Sequence, residues 1–225
     1  MISIPKVKNQ KFAILGLGKS GLAAAASLAA SGAEIAVWDD STESRQAAAE
    51  TGYPVVDLSQ SEISGFQALI LSPGIPHTHP KPHPVVVRFR AANVPIFGDV
   101  ELLFRACPDA TYVGITGTNG KSTTTALIGH ILKAAGRRVE VGGNLGTPVM
   151  SFEPLGKNEI YVLELSSYQL ELIRQNPMTV AVLLNITPDH LGRHGGIEGY
   201  MADKARIFNL ATKPQTHIIG SGETS

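Results

Sequence analysis

Short apolar runs that end at glycine or aspartate alternate with Ala- and Leu-rich stretches in the first part of the chain. Residues 12–15 form one such run, and the stretch at 22–30 that follows it closes at Ser31-Gly32, which predicts a strand, a turn and a helix. Residues 33–38 and 68–71 predict two further strands. Strands that alternate with helices in this way predict a parallel, doubly wound sheet.

Residues 75–84 interrupt this alternation with four prolines and three histidines, which predict a loop. A metal site is one interpretation of His77, His79 and His83. A proline-rich exposed loop seldom fixes the geometry of metal ligands, so we interpret the three histidines as solvated loop residues.

The strand–turn–helix pattern restarts in the second half of the chain. Residues 99–106 predict a connecting helix, 111–116 a strand, and 123–135 a helix that ends at Gly136. Further strands are predicted over 160–163, 180–184 and 217–219. The second unit therefore also predicts an α/β domain.

A chain of 225 residues is long enough for one to two domains. We predict a Rossmann-like domain over residues 1–97 and a P-loop ATPase-type α/β domain over residues 98–225. A domain of five or more strands usually needs more than about 115 residues, so we expect the sequence to stop within the second domain.

Composition narrows the possible classes of protein. With 43% hydrophobic and 17% charged residues, and 19 basic against 19 acidic side chains, the chain is expected to fold and to have no general attraction for nucleic acid or anionic lipid. The single cysteine, Cys107, excludes an internal disulfide and a zinc site of several thiolates. This favours a reducing compartment, the cytoplasm.

The N-terminal segment has some features of a secretory signal, because lysines precede an apolar stretch that ends in small residues. Glycines and Lys19 interrupt that stretch, which argues against a signal peptide. No apolar run approaches the roughly 18 residues that span a bilayer. We therefore expect a soluble protein without a membrane partner.

The first predicted turn fits the pattern G-x-G-x-x-G with residues Gly16, Leu17, Gly18, Lys19, Ser20 and Gly21. This turn follows a strand and begins a helix. Asp39 ends the next strand, where its carboxylate can accept a hydrogen bond from a ribose hydroxyl. One interpretation is a tight strand-to-helix connection. The other is a diphosphate site at the helix N-terminus, for NAD, a flavin or a nucleotide sugar.

The second predicted turn is a shortened phosphate loop with residues Gly117, Thr118, Asn119, Gly120, Lys121 and Ser122. Ile115 occupies the position of the first glycine of the full Walker pattern. Backbone amides of such a loop face the β-phosphate, the lysine reaches the γ-phosphate, and the serine hydroxyl can ligate magnesium. The alternative is a solvated turn with an incidental lysine.

Isolated polar residues follow the later predicted strands, namely Asn144, Glu164 and Asp189-His190. Because the carboxyl ends of parallel strands surround the ligand of an open α/β sheet, these residues can converge on phosphates bound at Lys121. Each can instead be a capping or solvated residue. Lys204, taken by itself, is interpreted as a solvated helix lysine.

Five motifs occur in an order that resembles the Mur ligases of peptidoglycan synthesis. They are GTNGKSTT at 117–124, GGNLG at 142–146, ELSSYQLE at 164–171, NITPDH at 185–190 and DKARIF at 203–208. Residues 16–21 and 71–75 make the chain resemble most the members that join D-glutamate to UDP-N-acetylmuramoyl-L-alanine. The resemblance runs over the whole chain, but it covers only the first domain and much of the second of three.

The resemblance implies an ATP- and Mg²⁺-dependent amide ligation through an acyl phosphate. It assigns catalysis to Lys121, Asn144, His190 and Lys204, and ATP binding to residues 117–122 and Thr123. It assigns magnesium coordination to Ser122, Glu164, His190 and Lys204, and Lys204 would coordinate the ion as a carbamate. UDP-substrate binding is assigned to residues 16–21, Asp39, Ser72, Pro73, Gly74 and Ile75.

One position departs from the family pattern, since Gly192 stands where we expect aspartate, which puts the hydrogen bonding near the second metal in doubt. The resemblance does not extend to the family's third domain, so we expect this chain alone to have little or no ligase activity. Two alternatives remain open. One is a non-catalytic fragment that binds the nucleotide and the UDP-substrate. The other is an NAD-dependent oxidoreductase, which explains only the first glycine loop.

Overall fold

The computed structural model describes residues 1–144, 146–209 and 211–220. Leu145 of the GGNLG motif and residues 221–225 of the predicted second domain lie outside the described residues. The chain divides into two compact units, Met1–Ala106 with Val149–Ser151 and Cys107–Pro148 with Phe152–Ser225. The division falls after Ala106 rather than after residue 97, because helix Asp99–Ala106 packs against the first helix and the short 3-10 helix Val149–Ser151.

The first unit is a four-stranded parallel sheet with the strand order β2-β1-β3-β4. Its strands are β1 (Lys11–Leu15), β2 (Glu34–Trp38), β3 (Phe66–Leu71) and β4 (Ile96–Phe97). Its helices are α1 (Lys19–Ala30), α2 (Thr42–Glu50), α3 (Pro84–Ala91) and α4 (Asp99–Ala106). Ile14 of β1 pairs with Val37 and Ile70, and all three side chains are buried.

Three elements of the first unit, α2, α3 and β4, were not predicted. Helix α2 is polar almost all round and buries only Ala48, so it has no apolar periodicity to detect. Helix α3 begins at Pro84, which the helix tolerates in its first turn. The interpretation of His83 as a solvated residue is wrong, because its Nδ1 accepts a hydrogen bond from the backbone of Val85 and its Nε2 contacts Asp40 at 3.0 Å.

The second unit is a five-stranded parallel sheet with the strand order β6-β7-β5-β8-β9. Its strands are β5 (Thr111–Thr116), β6 (Val139–Gly143), β7 (Ile160–Glu164), β8 (Val180–Leu183) and β9 (Thr216–Ile219). Its helices are α5 (Lys121–Ala134), α6 (Ser167–Glu171) and α7 (Ile197–Ala205), with a 3-10 helix at Leu191–Arg193.

Strand β5 lies at the centre of this sheet, and its buried residues Val113 and Ile115 form a core with Val162 of β7 and Val182 of β8. After β5 the chain continues to β6, at one edge of the sheet, and after β7 it continues to β8, on the opposite side of β5 in the strand order. Connections that diverge in this way open a crevice at the carboxyl ends of the strands. The loops that follow β5 and β7 border that crevice.

Both units are α/β with parallel sheets, as predicted. Strand β6 was not predicted, because its sequence VEVGG has only two apolar side chains and ends in two glycines. Among the described residues, no helix has both the length and the apolar character needed to cross a membrane.

Candidate functional site

A cleft of about 430 Å³ opens in the first unit at the carboxyl ends of β1, β2 and β3. This glycine-loop cleft is lined by Gly16, Gly18, Lys19, Ser20, Asp39, Asp40, Ser72, Pro73, Gly74 and Ile75. Of the predicted UDP-substrate residues, Leu17 and Gly21 do not line it, and both are buried. The structure therefore brings nearly all of this predicted set together.

The glycines of the first loop are required by close packing. A Cβ on Gly21 would lie 1.8 Å from the carbonyl oxygen of Gly16. Gly16 has φ +93°, and a Cβ there would lie 2.6 Å from that of Ser72. The Ser72 hydroxyl donates to the Gly16 carbonyl at 2.9 Å. These contacts hold the loop against the strand end of β3.

Asp39 binds the first loop rather than pointing away from it. Its Oδ2 accepts from the backbone N–H of Leu17 at 2.7 Å, and its Oδ1 accepts from that of Ser41 at 2.8 Å. A carboxylate oxygen has a second lone pair, so these bonds leave acceptor capacity for a ligand hydroxyl. The role of Asp39 at a ribose stays a prediction.

A second cleft, of about 120 Å³, opens in the second unit beside the loop that follows β5. This lysine cleft is lined by Lys121, Asn144, Ser166, Ser167, Tyr168, Asp189, His190, Tyr200 and Lys204. All four predicted catalytic residues are among them, although they come from four separate motifs. Ser122 and Glu164 do not line it.

The phosphate loop is held in shape by Asn185, which follows β8. Its Oδ1 accepts from the backbone N–H groups of Thr118 at 3.2 Å and Asn119 at 2.9 Å, and its Nδ2 donates to the Asn119 carbonyl at 3.1 Å. No role was predicted for Asn185. The only available signal was a polar residue at a strand end, the same signal that indicated Glu164.

Two side chains of the phosphate loop, those of Thr118 and Lys121, already bond to other groups of the protein. Lys121 Nζ donates to the Thr118 carbonyl at 2.8 Å. The Thr118 hydroxyl bonds both backbone groups of Thr187 and lies 3.1 Å from the Tyr200 hydroxyl. Ser122 and Thr123 are exposed. The exposed loop residues are therefore the ones free to meet a phosphate without losing these bonds.

Lys204 is buried, with 2% of its surface exposed, so its interpretation as a solvated helix lysine is wrong. Its Nζ donates to the carbonyl of Gly117 at 2.9 Å and lies 4.6 Å from the ring centroid of Tyr200. Burial, and then the charge of Lys121, lower the pKa of Lys204 from 10.5 to about 8. The amine therefore loses its proton far more readily than that of an exposed lysine.

Glu164 is also buried and reaches the lysine cleft through Asn144. The Asn144 Nδ2 donates to Glu164 Oε1 at 3.0 Å, and the backbone N–H of Asn144 donates to the Glu164 carbonyl at 2.9 Å. A helix cap is not its role, since Ser166 and Gln169 form the capping box of α6. Glu164 thus holds the amide that lines the cleft.

His190 is exposed and adopts a left-handed backbone conformation with φ +49°. Few residues other than glycine adopt this conformation, and it occurs often at functional sites. Its ring lies 5.5 Å from that of Tyr168. At Gly192, two residues further on, a Cβ would meet nothing within 4 Å, so the structure has space for the expected aspartate.

A buried histidine that sequence analysis missed, His194, lies next to this cleft. It bonds Ser167 of α6 and Asp203 of α7. Burial is the main cause that raises the pKa of Asp203. No feature of the sequence distinguishes His194 from His190, because only the tertiary contacts with Ser167 and Asp203 place His194 between α6 and α7.

The donor chemistry around the lysine cleft fits magnesium in part. Mg²⁺ prefers oxygen ligands, and the Glu164 carboxylate and the Ser122 hydroxyl supply them. The ammonium group of Lys204 cannot ligate a cation, whereas a carbamate on it would add oxygens. Within the described ranges, no three His, Cys, Asp or Glu side chains gather in a group that could hold a metal.

The two folds and their strand-end loops define a Rossmann-like domain joined to a P-loop-type nucleotide-binding domain. Residues 10–98 match the Mur ligase MurD-like N-terminal domain, and residues 115–224 match the Mur ligase middle domain. The chain belongs to the Mur ligase family. The resemblance stated from the motifs is thereby confirmed.

Curated relatives agree with this assignment. The chain is 53% identical over 224 residues to a UDP-N-acetylmuramoylalanine–D-glutamate ligase of Rhodospirillum rubrum, covering 97% of this chain and 47% of the relative. It is 50% identical over 220 residues to the ligase of the same name from Paramagnetospirillum magneticum, covering 98% and 48%. The chain spans about half the length of the curated relatives it matches.

A solved structure supports the fold. The UDP-N-acetylmuramate:L-alanyl-gamma-D-glutamyl-meso-diaminopimelate ligase from Neisseria meningitides superposes with a TM-score of 0.60 at 16% identity, covering 96% of this chain and 72% of that one. At this identity the likeness concerns the fold alone.

Proposed function

We propose that this chain supplies the UDP-substrate-binding and ATP-binding parts of a cytoplasmic ligase of peptidoglycan precursor synthesis. The ligase joins D-glutamate to UDP-N-acetylmuramoyl-L-alanine at the expense of ATP. The observation that carries the proposal is the lysine cleft, where Lys121, Asn144, His190 and Lys204 meet although they lie in separate motifs. The names of the relatives support the choice of substrates.

The proposed reaction has two steps. The γ-phosphate of ATP passes to the alanyl carboxylate and ADP leaves, which gives an acyl phosphate. The amine of D-glutamate then attacks the acyl carbon, loses a proton, and phosphate leaves as the amide forms. Because the first step joins two anions, the protein has to neutralise charge and position the groups.

Lys121 and the phosphate loop provide this positioning. The backbone amides of residues 120–122, at the N-terminus of helix α5, would face a bound β-phosphate, since those of Thr118 and Asn119 donate to Asn185. Lys121 Nζ exchanges the Thr118 carbonyl, 2.8 Å away, for an oxygen of the transferring phosphate. Thr123 adds an exposed hydroxyl in the first turn of α5.

Magnesium, when bound, would neutralise the phosphate charge. We assign Ser122 and Glu164 to one ion, and His190 and Lys204 to a second. Asn144 lies between Glu164 and the cleft, so it orients that carboxylate and contacts the reacting groups.

Lys204 would serve as a ligand only after carbamylation. The neutral amine attacks carbon dioxide and releases one proton, which turns a cation into an anionic group with two oxygens. Its pKa of about 8 and its burial support this assignment, because the reaction needs the unprotonated amine. One N–H remains after the reaction and can keep the bond to the Gly117 carbonyl.

The glycine-loop cleft would hold the UDP part of the substrate. Helix α1 begins after Gly18 without a side-chain cap, so its first amides are open to a diphosphate. Lys19 adds a positive charge at the same place, and Asp39 retains acceptor capacity for the ribose.

Calorimetry and a product assay test the proposal. Lys121→Met should weaken Mg-ATP binding to this chain and leave UDP-substrate binding unchanged, whereas Lys133→Met, at the exposed end of α5, should change neither. The complete gene product should form UDP-N-acetylmuramoyl-L-alanyl-D-glutamate. ATP binding that is insensitive to Lys121→Met would refute the site, and binding of NAD in preference to the UDP-substrate would favour an oxidoreductase.

A further inference from the structure

His194 is held at both ring nitrogens inside the second unit. Only 3% of the residue is exposed. Its Nε2 lies 3.0 Å from Ser167 Oγ, and its Nδ1 lies 2.7 Å from Asp203 Oδ2. The two partners belong to different helices, α6 and α7, so this ring joins the two helices.

The directions of these bonds follow from the chemistry of the partners. A carboxylate only accepts, so Nδ1 carries the proton and donates it to Asp203. In the neutral ring Nε2 is then the acceptor, and the Ser167 hydroxyl donates to it. Both bonds are satisfied by one tautomer.

The faces of the ring are fixed as well. The ring of Tyr168, on α6, stacks on His194 with centroids 5.2 Å apart and planes 11° apart. The ring of Tyr200, on α7, lies against it at 5.2 Å and 55°. Both tyrosines line the lysine cleft, so the packing of His194 reaches the cleft wall.

Helix α7 begins at Gly196 without a side-chain cap, and of its nine residues only Tyr200 and Lys204 are buried. Both are tied to the phosphate loop, since the Tyr200 hydroxyl lies 3.1 Å from Thr118 Oγ1 and Lys204 Nζ donates to the Gly117 carbonyl. The bond that His194 donates to Asp203 adds a link on the other side of Lys204. Through Ser167, it connects α7 to the start of α6.

We propose that His194 is a positioning residue that sets the place of Lys204 and of the His190 loop in the lysine cleft. Asp203 precedes Lys204 directly, and His194 ends the 3-10 turn that begins after His190. Its bond to Ser167 connects both to the segment that follows Glu164. The proposal rests on the proposed function only in the use that the ligase makes of Lys204.

Amine labelling of this chain tests the proposal without any nucleotide. A bulky acylating reagent should label Lys204 slowly in the unchanged protein because the side chain is buried, even though its amine loses the proton readily. The exposed Lys133 and Lys157 are the internal references. His194→Leu keeps apolar volume and removes both bonds, and it should speed Lys204 labelling relative to the references by about tenfold, the factor for one charge-assisted hydrogen bond. His194→Asn keeps a donor near the Nδ1 position and should restore most of the protection.

The matched control is His130→Ala, an exposed histidine of α5, which should leave Lys204 protected. Equal protection of Lys204 in His194→Leu and His194→Asn would overturn the proposal. Where His194→Leu loses its cooperative unfolding transition in denaturant, Asp203→Ala is compared with the unchanged chain, since it removes the acceptor of the His194 Nδ1 bond. Faster labelling of Lys204 in Asp203→Ala supports the proposal, and equal rates overturn it.

The same three side chains can also form a nucleophilic relay, and a fluorophosphonate distinguishes that role. Covalent labelling of Ser167 by the reagent would replace the positioning role with a nucleophilic one. Failure of the unchanged chain to bind Mg-ATP would instead count against the proposed function and leave the labelling result standing.

Discussion

The amine of Lys204 should react with carbon dioxide at neutral pH, and the structure sets the size of the effect. A fall in pKa from 10.5 to about 8 corresponds to about 3 kcal/mol. At pH 7.5 about a quarter of the Lys204 amines are then neutral, against about one in a thousand for an ordinary lysine. The reactive form is enriched roughly 200-fold.

Two perturbations change this fraction in known directions. Raising the pH from 6.5 to 8 should increase the carbamate steeply, because below the pKa the neutral amine fraction rises nearly tenfold per pH unit. Lys121→Met removes the positive charge that is the second cause of the lowered pKa. The pKa of Lys204 should therefore rise, and less carbamate should form at a given pH.

Chemical trapping measures the carbamate directly. The chain is equilibrated with ¹³C-bicarbonate, alkylated with a trialkyloxonium salt and digested, and the label is located by mass spectrometry. The exposed Lys133 is the internal control. If Lys204 and Lys133 trapped equally, or if Lys121→Met left the Lys204 signal unchanged, the reasoning from burial and charge would be refuted.

Further predictions concern stability and binding. The free energy of unfolding should rise by about 3 kcal/mol between pH 8 and pH 10.5, because in that window the unfolded chain binds the proton that folded Lys204 has lost. Denaturant titrations measure this rise, and it should be absent from Lys204→Met. Gly21→Ala should abolish calorimetric binding of the UDP-substrate, since the added Cβ lies 1.8 Å from a backbone oxygen, while Gly74→Ala, with open space, should be tolerated. Asn185→Ala removes three loop bonds and should lower Mg-ATP affinity about tenfold or more, and Asn185→Asp, which keeps the two acceptor bonds, should lose less. In the complete gene product, Lys204→Ala should lose ligation, keep UDP-substrate binding, and regain product formation when short carboxylic acids are added.

The central strand of the second unit was predictable because its burial is continuous. The prediction over 111–116 coincides with β5, whose residues after Thr111 are all buried. The two hydroxyls among them, of Tyr112 and Thr116, donate to backbone carbonyls. The edge strand β6 and the polar helix α2 escaped prediction because tertiary contacts, not their own periodicity, hold them. Local sequence patterns report only the burial that recurs along a single element.

The sequence also determined which residues could meet at the second site. Glycines at 117 and 120, a lysine after them, and polar residues at the ends of later strands are local features. In a parallel sheet the strand ends share one edge, so the convergence of Lys121, Asn144 and His190 on one cleft follows from topology. The glycine loop of the first unit could be predicted from the sequence for the same reason.

Only the tertiary structure decided what state these side chains are in. Lys204 bonds Gly117 across 87 residues, and His194 bonds Ser167 across 27. Asn185 accepts a hydrogen bond from the backbone of Asn119, 66 residues away in the sequence. Burial, a lowered pKa and a fixed tautomer are set by neighbours that arrive from distant parts of the chain. No local pattern around Lys204 or His194 contains them, because the energies arise only when those neighbours are in place.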